Sequence, residues 1–220
     1  YDKVMPTFSK NFGIPTETSS SSLSDESHGG ESFLYGWLDT ESVGDYSELN
    51  FRTIRDVNIA IDEALRGGMP AEAKDRILGQ AYFMRAWRYW ELVKLYGGVP
   101  MVLGPLDPYN DELDIPRSQT SECIEIIVED LDSAISKLPS SWSSSERGRV
   151  TRGAAAALKG RILLFWASPQ FNPENSGDRW QRAYDANLQA KVILEEDGYD
   201  LENSFEDIFL VEEGNTEFIF

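Results

Sequence analysis

Residues 71–98 read AEAKDRILGQAYFMRAWRYWELVKLYGG, and this stretch decides the fold class. Pro70 stands where the fixed φ of proline suits the first turn of a helix, and Gly97 and Gly98 stop the helical pattern. Apolar residues occupy most of the circumference of this helix instead of one narrow stripe. A helix with that pattern is buried by neighbours on several sides. The stretch therefore predicts a long, largely buried α-helix.

Four more helices are predicted, each with an apolar face that repeats at about 3.6 residues. The five helices are expected to begin near residues 46, 71, 119, 151 and 178. Ser118 or Thr120 can cap the third helix and Thr151 the fourth, because a hydroxyl accepts a hydrogen bond from the first unpaired backbone N–H groups. The four alanines of the fourth helix, Ala154 to Ala157, allow a neighbouring helix to come close.

The segments between the helices are irregular. Residues 1–45 are loop-like, because prolines, glycines and a run of serines interrupt every helical period. Residues 97–118 form a long excursion rich in glycine and proline, and residues 217–220 are apolar and indicate a strand. The sequence opens at Tyr1 without a methionine, a signal peptide or a lipid-acceptor cysteine, so we expect a processed or cut chain.

The order of these elements indicates helix pairs, because each helix has one apolar face that a hairpin partner would bury. The spacing of the helix starts is irregular, so a regular 34-residue tetratricopeptide array does not fit. The sequence therefore predicts an all-α fold of irregular helix pairs with long loops and a minor C-terminal β element.

Composition limits the classes of partner and site. The formal net charge is −18, from 38 acidic and 20 basic residues, which argues against nucleic acid as a partner. No stretch reaches the roughly 18 apolar residues that a membrane span requires. The single cysteine, Cys123, excludes an internal disulfide, and its apolar neighbours predict a buried structural thiol.

Chemistry-bearing motifs are few. The loop DPYNDELD offers oxygen ligands for a hard cation, but it lacks the glycine and the terminal glutamate of an EF-hand. We favour a solvated acidic loop. The oxygen ligands in question are Asp107, Asn110, Asp111, Glu112 and Asp114. Carboxylate pairs suited to glycoside hydrolysis can be drawn almost anywhere among 38 acidic residues and are uninformative. We predict no catalytic residue, no metal ligand and no cofactor.

Aromatic and acidic residues alternate in the first loop: Phe33, Tyr35, Trp37, Asp39 and Glu41. Flat aromatic faces stack on the C–H bonds of sugar rings, and carboxylates bind sugar hydroxyls. This pattern favours a sugar-binding surface. The alternative interpretation is that the aromatic side chains pack the loop onto the helices.

Several ordered motifs resemble the N-terminal region of SusD/RagB-like proteins. They are QAYFMRAWRYWELVKLYGGVPMV, IPRSQTSECIEIIVEDLDSAISKLP and GRVTRGAAAALKGRILLFWAS, with SDE at residues 24–26 and NTEFIF at residues 215–220. The resemblance covers about residues 24–220 and includes several charged or aromatic motif residues. We interpret these residues as scaffold: Arg85, Trp87, Arg117, Asp130 and Arg149.

The resemblance implies a tetratricopeptide-like helical superhelix that closes over a SusC-type TonB-dependent outer-membrane transporter. It implies a lipoprotein on the extracellular face of the outer membrane, touching the membrane only through a lipid anchor outside this chain. It also implies an oligosaccharide or other nutrient as ligand, with Trp37 as the first contact and Tyr35 and Asp39 beside it.

On this resemblance the whole of residues 1–220 is one helical region. We expect a loop-rich, ligand-facing segment at 1–45, helical repeats at 46–196, and the start of a truncated remainder at 197–220. The predicted function is capture of a nutrient, in the first place an oligosaccharide, for delivery to that transporter. No catalysis is predicted, because the sequence contains no catalytic motif. Two alternatives stay open, a helical-repeat scaffold that binds another protein and a helical glycoside hydrolase.

Overall fold

Five long helices make up most of the computed structural model, which describes residues 47–202, 204–210 and 214–219. In chain order they are α1 (Ser47–Arg66), α2 (Ala71–Tyr96), α3 (Thr120–Lys137), α4 (Arg152–Ala167) and α5 (Gly177–Glu196), followed by one turn, α6 (Asp207–Leu210). A 3-10 turn at Ser144–Glu146 lies between α3 and α4. Residues 50–220 form one of the two compact units into which the chain divides, the other being residues 1–49.

The predicted all-α fold is confirmed, and each of the five helices begins within one residue of its predicted start. The structure differs from the prediction of a strand at residues 217–220. None of the described residues 214–219 lies in a strand, and Phe220 is outside the described residues. A strand needs a ladder partner, and the described part of the chain supplies none there.

α1, α2 and α3 are successive antiparallel neighbours. Near the start of α2, the Lys74 ammonium donates to the Leu65 carbonyl at 3.3 Å, close to the end of α1. On the other side, Lys137 at the end of α3 pairs with Asp75 at 2.8 Å. α2 therefore has a neighbour on each side, which explains why its apolar residues are not confined to one stripe. Its buried residues include Leu78, Phe83, Tyr89, Trp90 and Leu92.

The array continues in the same antiparallel manner through α4 and α5. The Arg152 backbone N–H, at the start of α4, donates to the Pro139 carbonyl just after α3 at 3.0 Å. The Arg152 side chain in turn pairs with Asp197 just after α5, with Nε 2.8 Å from Oδ2. These contacts confirm the helix-pair organisation that the sequence predicts.

Glycine allows α5 to approach α4 closely. A Cβ atom added at Gly153 would lie 2.6 Å from Leu194 Cδ2, and one added at Gly160 would lie 2.6 Å from Asn187 Oδ1. Both distances are below any ordinary van der Waals contact. Three of the four alanines between them, Ala154 to Ala156, are buried as well, so the small residues of α4 form the close interface that the sequence predicts.

One of the two predicted caps is confirmed and the other is wrong. Thr151 caps α4, since its Oγ1 accepts from the Ala154 N–H at 3.2 Å. The N-cap of α3 is Gln119, whose backbone N–H donates to Glu122 Oε2 at 2.9 Å. Ser118 belongs to the preceding loop, where its N–H donates to the Val99 carbonyl at 3.1 Å, and Thr120 is already helical.

Candidate functional site

The predicted ligand residues Tyr35, Trp37 and Asp39 lie outside the described residues, as does the whole predicted ligand-facing segment, 1–45. The helices, the long loop 97–119 and the surface clefts of residues 50–219 are described. Their geometry shows which polar residues are committed to the scaffold and which surfaces are open.

A buried ion pair joins α2 to α3. Arg85 Nε and Nη2 donate to Asp130 Oδ2 and Oδ1 at 2.8 and 2.7 Å, and the two side chains are only 8% and 7% exposed. Because both carboxylate oxygens accept from the guanidinium, the pair is ionised at neutral pH. The remaining terminal nitrogen, Nη1, donates to Asn58 Oδ1 and to the Leu103 carbonyl, each at 2.9 Å.

Burial and pairing act in opposite directions on the pKa values of this pair. Burial raises the pKa of the Asp130 carboxyl above its usual value, and the nearby guanidinium only partly opposes that rise. Burial also works against the charge on Arg85, but the hydrogen bonds and negative charge of Asp130 outweigh it and raise the pKa of Arg85. Each charge therefore depends on the other to be tolerated in the interior.

The same centre holds the first part of the long loop. Asn58 Nδ2, from α1, donates to the Val102 carbonyl at 2.7 Å. The Tyr89 hydroxyl donates to the same carbonyl at 2.8 Å and accepts from the Val102 N–H at 2.6 Å. Burial raises the pKa of Tyr89 to about 12. Asn58 of α1 and Arg85 and Tyr89 of α2 thus fix the loop backbone, and Asp130 of α3 holds Arg85 in place. Arg85 and Asp130 are therefore scaffold residues, as predicted.

Arg117 holds the other end of the loop. Its Nε donates to the Gly98 carbonyl at 2.7 Å and its Nη2 to the Tyr96 carbonyl at 2.5 Å. Tyr96 is the last residue of α2, and the last carbonyl groups of a helix have no hydrogen-bond donor within the helix. Cys123, in the first turn of α3, is fully buried with its Sγ 3.6 Å from the Val99 carbonyl oxygen, and burial raises the pKa of its thiol. The predicted structural role of Cys123 is confirmed.

A cleft lies beside Trp142, in the serine-rich segment between α3 and α4. It has a volume of about 540 Å³. The Trp142 Nε1–H donates to the Val150 carbonyl at 2.8 Å, which fixes the ring. The guanidinium carbons of Arg76 and Arg149 lie 4.7 and 5.6 Å from the ring centroid, within the range of cation–π attraction.

Four of the five charged residues that line this cleft are paired with one another, and the fifth is Glu72. Arg76 contacts Glu146 at 2.5 Å, and Lys137 contacts Asp75 at 2.8 Å. The cleft therefore offers an aromatic ring, serine hydroxyls and mostly paired charge. Sequence reasoning missed it because the ion pairs join residues about 60 to 70 positions apart; the only local signal was a tryptophan among serines.

The acidic loop at residues 107–114 binds its own backbone. Asp107 Oδ1 accepts from the Tyr109 N–H at 2.9 Å, and Asp111 Oδ2 accepts from the Asp107 N–H at 2.7 Å. The bond from the Tyr109 N–H, together with hydrogen bonds from Asn110, lowers the pKa of Asp107. Within the described ranges, no three His, Cys, Asp or Glu side chains are grouped to hold a metal ion.

The sequence profile of a SusD-like family, described as starch-binding and associating with the outer membrane, matches residues 9–164. The chain belongs to the SusD-like family. The match includes the Trp37 segment, the buried Arg85–Asp130 pair and the Trp142 cleft. Of the motif residues interpreted as scaffold, Arg85, Arg117 and Asp130 make the contacts described above.

Individual relatives agree with the family assignment. A SusD-like protein of Bacteroides ovatus is 26% identical over 166 residues, which cover 72% of this chain and 28% of the relative. A crystal structure of a SusD-like protein from Bacteroides fragilis has 30% identity and a TM-score of 0.68, covering 79% of this chain and 32% of that one. A laminarin-binding SusD-like protein has the same fold at 24% identity and a TM-score of 0.61, covering 80% and 36%.

The SusD-like chain thus spans about a third of the length of these relatives. In the part that the structure describes, no helix has the length and hydrophobicity needed to cross a membrane.

Proposed function

We propose that this chain is the helical part of a non-catalytic glycan-binding subunit, which delivers an oligosaccharide to a SusC-type TonB-dependent transporter. The observation that carries the proposal is membership of a family described as starch-binding, over residues 9–164. A relative with the same fold is described as laminarin-binding, which supports a glycan as the class of ligand.

The described scaffold suits this role. The loop 97–119 is held at both ends by buried or charge-assisted hydrogen bonds, so its conformation is set before any ligand arrives. A preorganised surface loses less conformational entropy on binding than a mobile one does. Arg85 and Asp130 are buried and bonded to each other, so neither is placed to act as a general acid or base on a substrate.

Trp37 is the proposed stacking residue, with Tyr35 and Asp39 beside it. An indole face covers the C–H face of a sugar ring, and a neighbouring carboxylate binds hydroxyls. The transporter partner, the extracellular face of the outer membrane and the lipid anchor belong to the same proposal. They are supported by the association of the family with the outer membrane.

The test is calorimetric titration of the full-length protein with laminarin and starch oligosaccharides, and of its Trp37→Ala variant. Loss of one stacking ring is expected to weaken binding about tenfold, which corresponds to roughly 1.4 kcal/mol. Trp142→Ala is the matched control, because it also removes one tryptophan, but from the Trp142 cleft. The melting temperature of this variant should be recorded as well.

Each outcome is informative. Weaker binding by Trp37→Ala alone supports the proposed site. Weaker binding by Trp142→Ala alone, with an unchanged melting temperature, keeps the function and moves the site to the Trp142 cleft. If the intact protein binds no glycan at all, the proposed ligand class is wrong and the protein-binding scaffold becomes the better hypothesis.

A further inference from the structure

Charge is distributed unevenly along this chain. Residues 11–45, which include the proposed ligand residue Trp37, contain seven acidic residues and neither lysine nor arginine. Residues 97–116 contain four acidic residues and again neither lysine nor arginine. Most basic residues lie on the helices instead. We call residues 11–45 and 97–116 the acidic segments, and they carry a large share of the formal net charge of −18.

The structure shows how the second acidic segment presents its charges. All four of its acidic residues are exposed: Asp107, Asp111, Glu112 and Asp114. Tyr109 lies among them and is 93% exposed, so an aromatic face stands open beside these charges. Backbone N–H groups hold the carboxylates of Asp107 and Asp111 at 2.9 and 2.7 Å. A ligand that reaches Tyr109 therefore meets carboxylates, two of which are fixed in place.

The basic side chains of the described part of the chain are largely used by the scaffold. Arg117, the first basic residue after the second acidic segment, donates to the carbonyls of Gly98 and Tyr96. Most other arginine and lysine side chains in the described ranges are paired with carboxylates. Examples are the pairs Arg85–Asp130, Arg152–Asp197 and Arg182–Glu125. Proteins commonly bind carboxylate, sulfate or phosphate groups through guanidinium or ammonium groups, and here most of those groups already serve the fold.

We propose that the glycan bound by this chain is uncharged, and that the carboxylates of the acidic segments exclude glycans that carry uronate or sulfate groups. The proposal rests on the proposed glycan-binding function and narrows its ligand to one chemical class. A sugar hydroxyl donates a hydrogen bond to a carboxylate, whereas an anionic group in the same place is repelled by it. An anionic group would also lose hydration on binding without gaining a cationic partner.

Charges near the ligand decide this selection more than the net charge of the whole chain does. The Debye length is about 8 Å at physiological ionic strength, so exposed charges farther from the ligand are largely screened. The carboxylates of the acidic segments are therefore expected to repel an anionic glycan more strongly than the exposed carboxylates of α3 or α5 do. Reversing charges in an acidic segment should change the selectivity, and reversing the same number of charges elsewhere should not.

Matched pairs of glycans test the proposal. Laminarin and starch oligosaccharides are each compared with the same oligosaccharide after oxidation of its primary hydroxyl groups to carboxylates, which changes the charge and hardly the size. Calorimetric titration of the full-length protein should show at least about tenfold weaker binding of the oxidised glycan. Added sodium chloride should strengthen binding of the oxidised glycan, because salt screens the repulsion, and should leave binding of the neutral glycan nearly unchanged.

Charge reversal tests whether the second acidic segment contributes to the selection. Glu112→Lys combined with Asp114→Lys reverses two of its exposed charges. Glu174→Lys combined with Asp185→Lys is the matched control, since it changes the net charge equally at exposed positions of the α4–α5 loop and of α5. The affinity for the oxidised glycan, relative to the neutral one, should rise at least about fivefold in the loop variant and stay within about twofold in the control. Melting temperatures of both variants check that they fold.

The outcomes separate this proposal from the glycan-binding function itself. An oxidised glycan that binds as tightly as the neutral one, or whose binding weakens as salt is added, would overturn the proposal and leave the glycan-binding function intact. A relative affinity that changes no more in the loop variant than in the control would overturn the role given to residues 97–116. If neither glycan binds, the proposed function fails and this proposal fails with it.

Discussion

α2 and α5 are both long helices of one array, yet they are buried in different ways. α2 has neighbours on both sides and buries aromatic residues and two arginines among its eleven buried positions. α5 buries three alanines. The difference shows that position in the array, more than length or local propensity, decides how much of a helix is covered.

Polar contacts follow the same division. Around α2, the Arg85–Asp130 pair is buried. Arg85 also donates hydrogen bonds to Asn58 of α1 and to the Leu103 carbonyl of the loop 97–119. Around α5, the charged contact with α3 is a surface pair between Arg182 and Glu125, whose side chains are 43% and 50% exposed. We therefore expect substitutions around α2 to cost far more stability than those around α5.

The largest effect is expected for Asp130→Asn. This variant leaves the buried Arg85 charge without its counter-ion, and breaking a buried pair from one side costs about 3–5 kcal/mol. Urea denaturation of the chain would measure the free energy of unfolding. Asp132→Asn is the control on the same helix, since Asp132 is 52% exposed and pairs with Lys159 on the surface. A loss no larger than that of the control would contradict the role given to the Arg85–Asp130 pair.

An intermediate effect is expected for Gly160→Ala, at the α4–α5 contact. The added Cβ would lie 2.6 Å from Asn187 Oδ1, so Asn187 must move and give up its bonds to the Gly160 and Ala183 carbonyls. Overpacking of this kind costs about 1–3 kcal/mol, partly offset by roughly 1 kcal/mol from the better helix propensity of alanine. Thermal unfolding measures the net loss.

Gly177→Ala is the control for this substitution, because nothing lies within 4 Å of a Cβ at the start of α5. It should be neutral or slightly stabilising. If Gly160→Ala stabilised the chain as much as Gly177→Ala did, the close approach of α4 and α5 would not constrain that position.

The smallest effect is expected for Glu125→Gln. Hydrogen bonds from Arg182 lower the pKa of Glu125 below its usual 4.5. A lowered folded-state pKa contributes stability above the unfolded pKa, and that contribution is lost as the pH falls through the folded value. The pair is exposed, so the variant should lose less than about 1 kcal/mol at pH 7 and a smaller amount at pH 4. Urea titrations at both pH values would show this, and an equal loss at both would contradict it.

Local sequence signals predicted the helices well because their causes are local. Gly97 and Gly98 end α2, Thr151 caps α4, and the periodic apolar residues of α3 are buried as expected, including Ile124, Ile127 and Leu131. The cap of α3 was assigned wrongly because three consecutive polar residues, Ser118 to Thr120, can each begin a helix. The backbone bond from Ser118 to Val99 decides between them, and it joins residues far apart in the chain.

Long-range contacts were beyond the reach of those signals. Nothing in the sequence around Asn58 distinguishes it from a solvated residue, yet it is 1% exposed and bridges Arg85 to the loop backbone. Trp142, in the serine-rich segment between α3 and α4, lies against Arg149 of the same segment and against Arg76 of α2, which is far away in the chain. The predicted ligand residues Tyr35, Trp37 and Asp39 stay a prediction.

The sequence by itself determined the five helices, the buried character of α2, the small-residue face of α4 and the family. The apolar helical period, the helix caps and the order of the motifs all depend on residues that are close together in the chain. Only the tertiary structure decided which polar residues are buried together, that Gln119 caps α3, and that the buried residues of α5 are alanines. Those outcomes depend on which elements meet in space, and burial of a charge or an apolar side chain is a property of its neighbours.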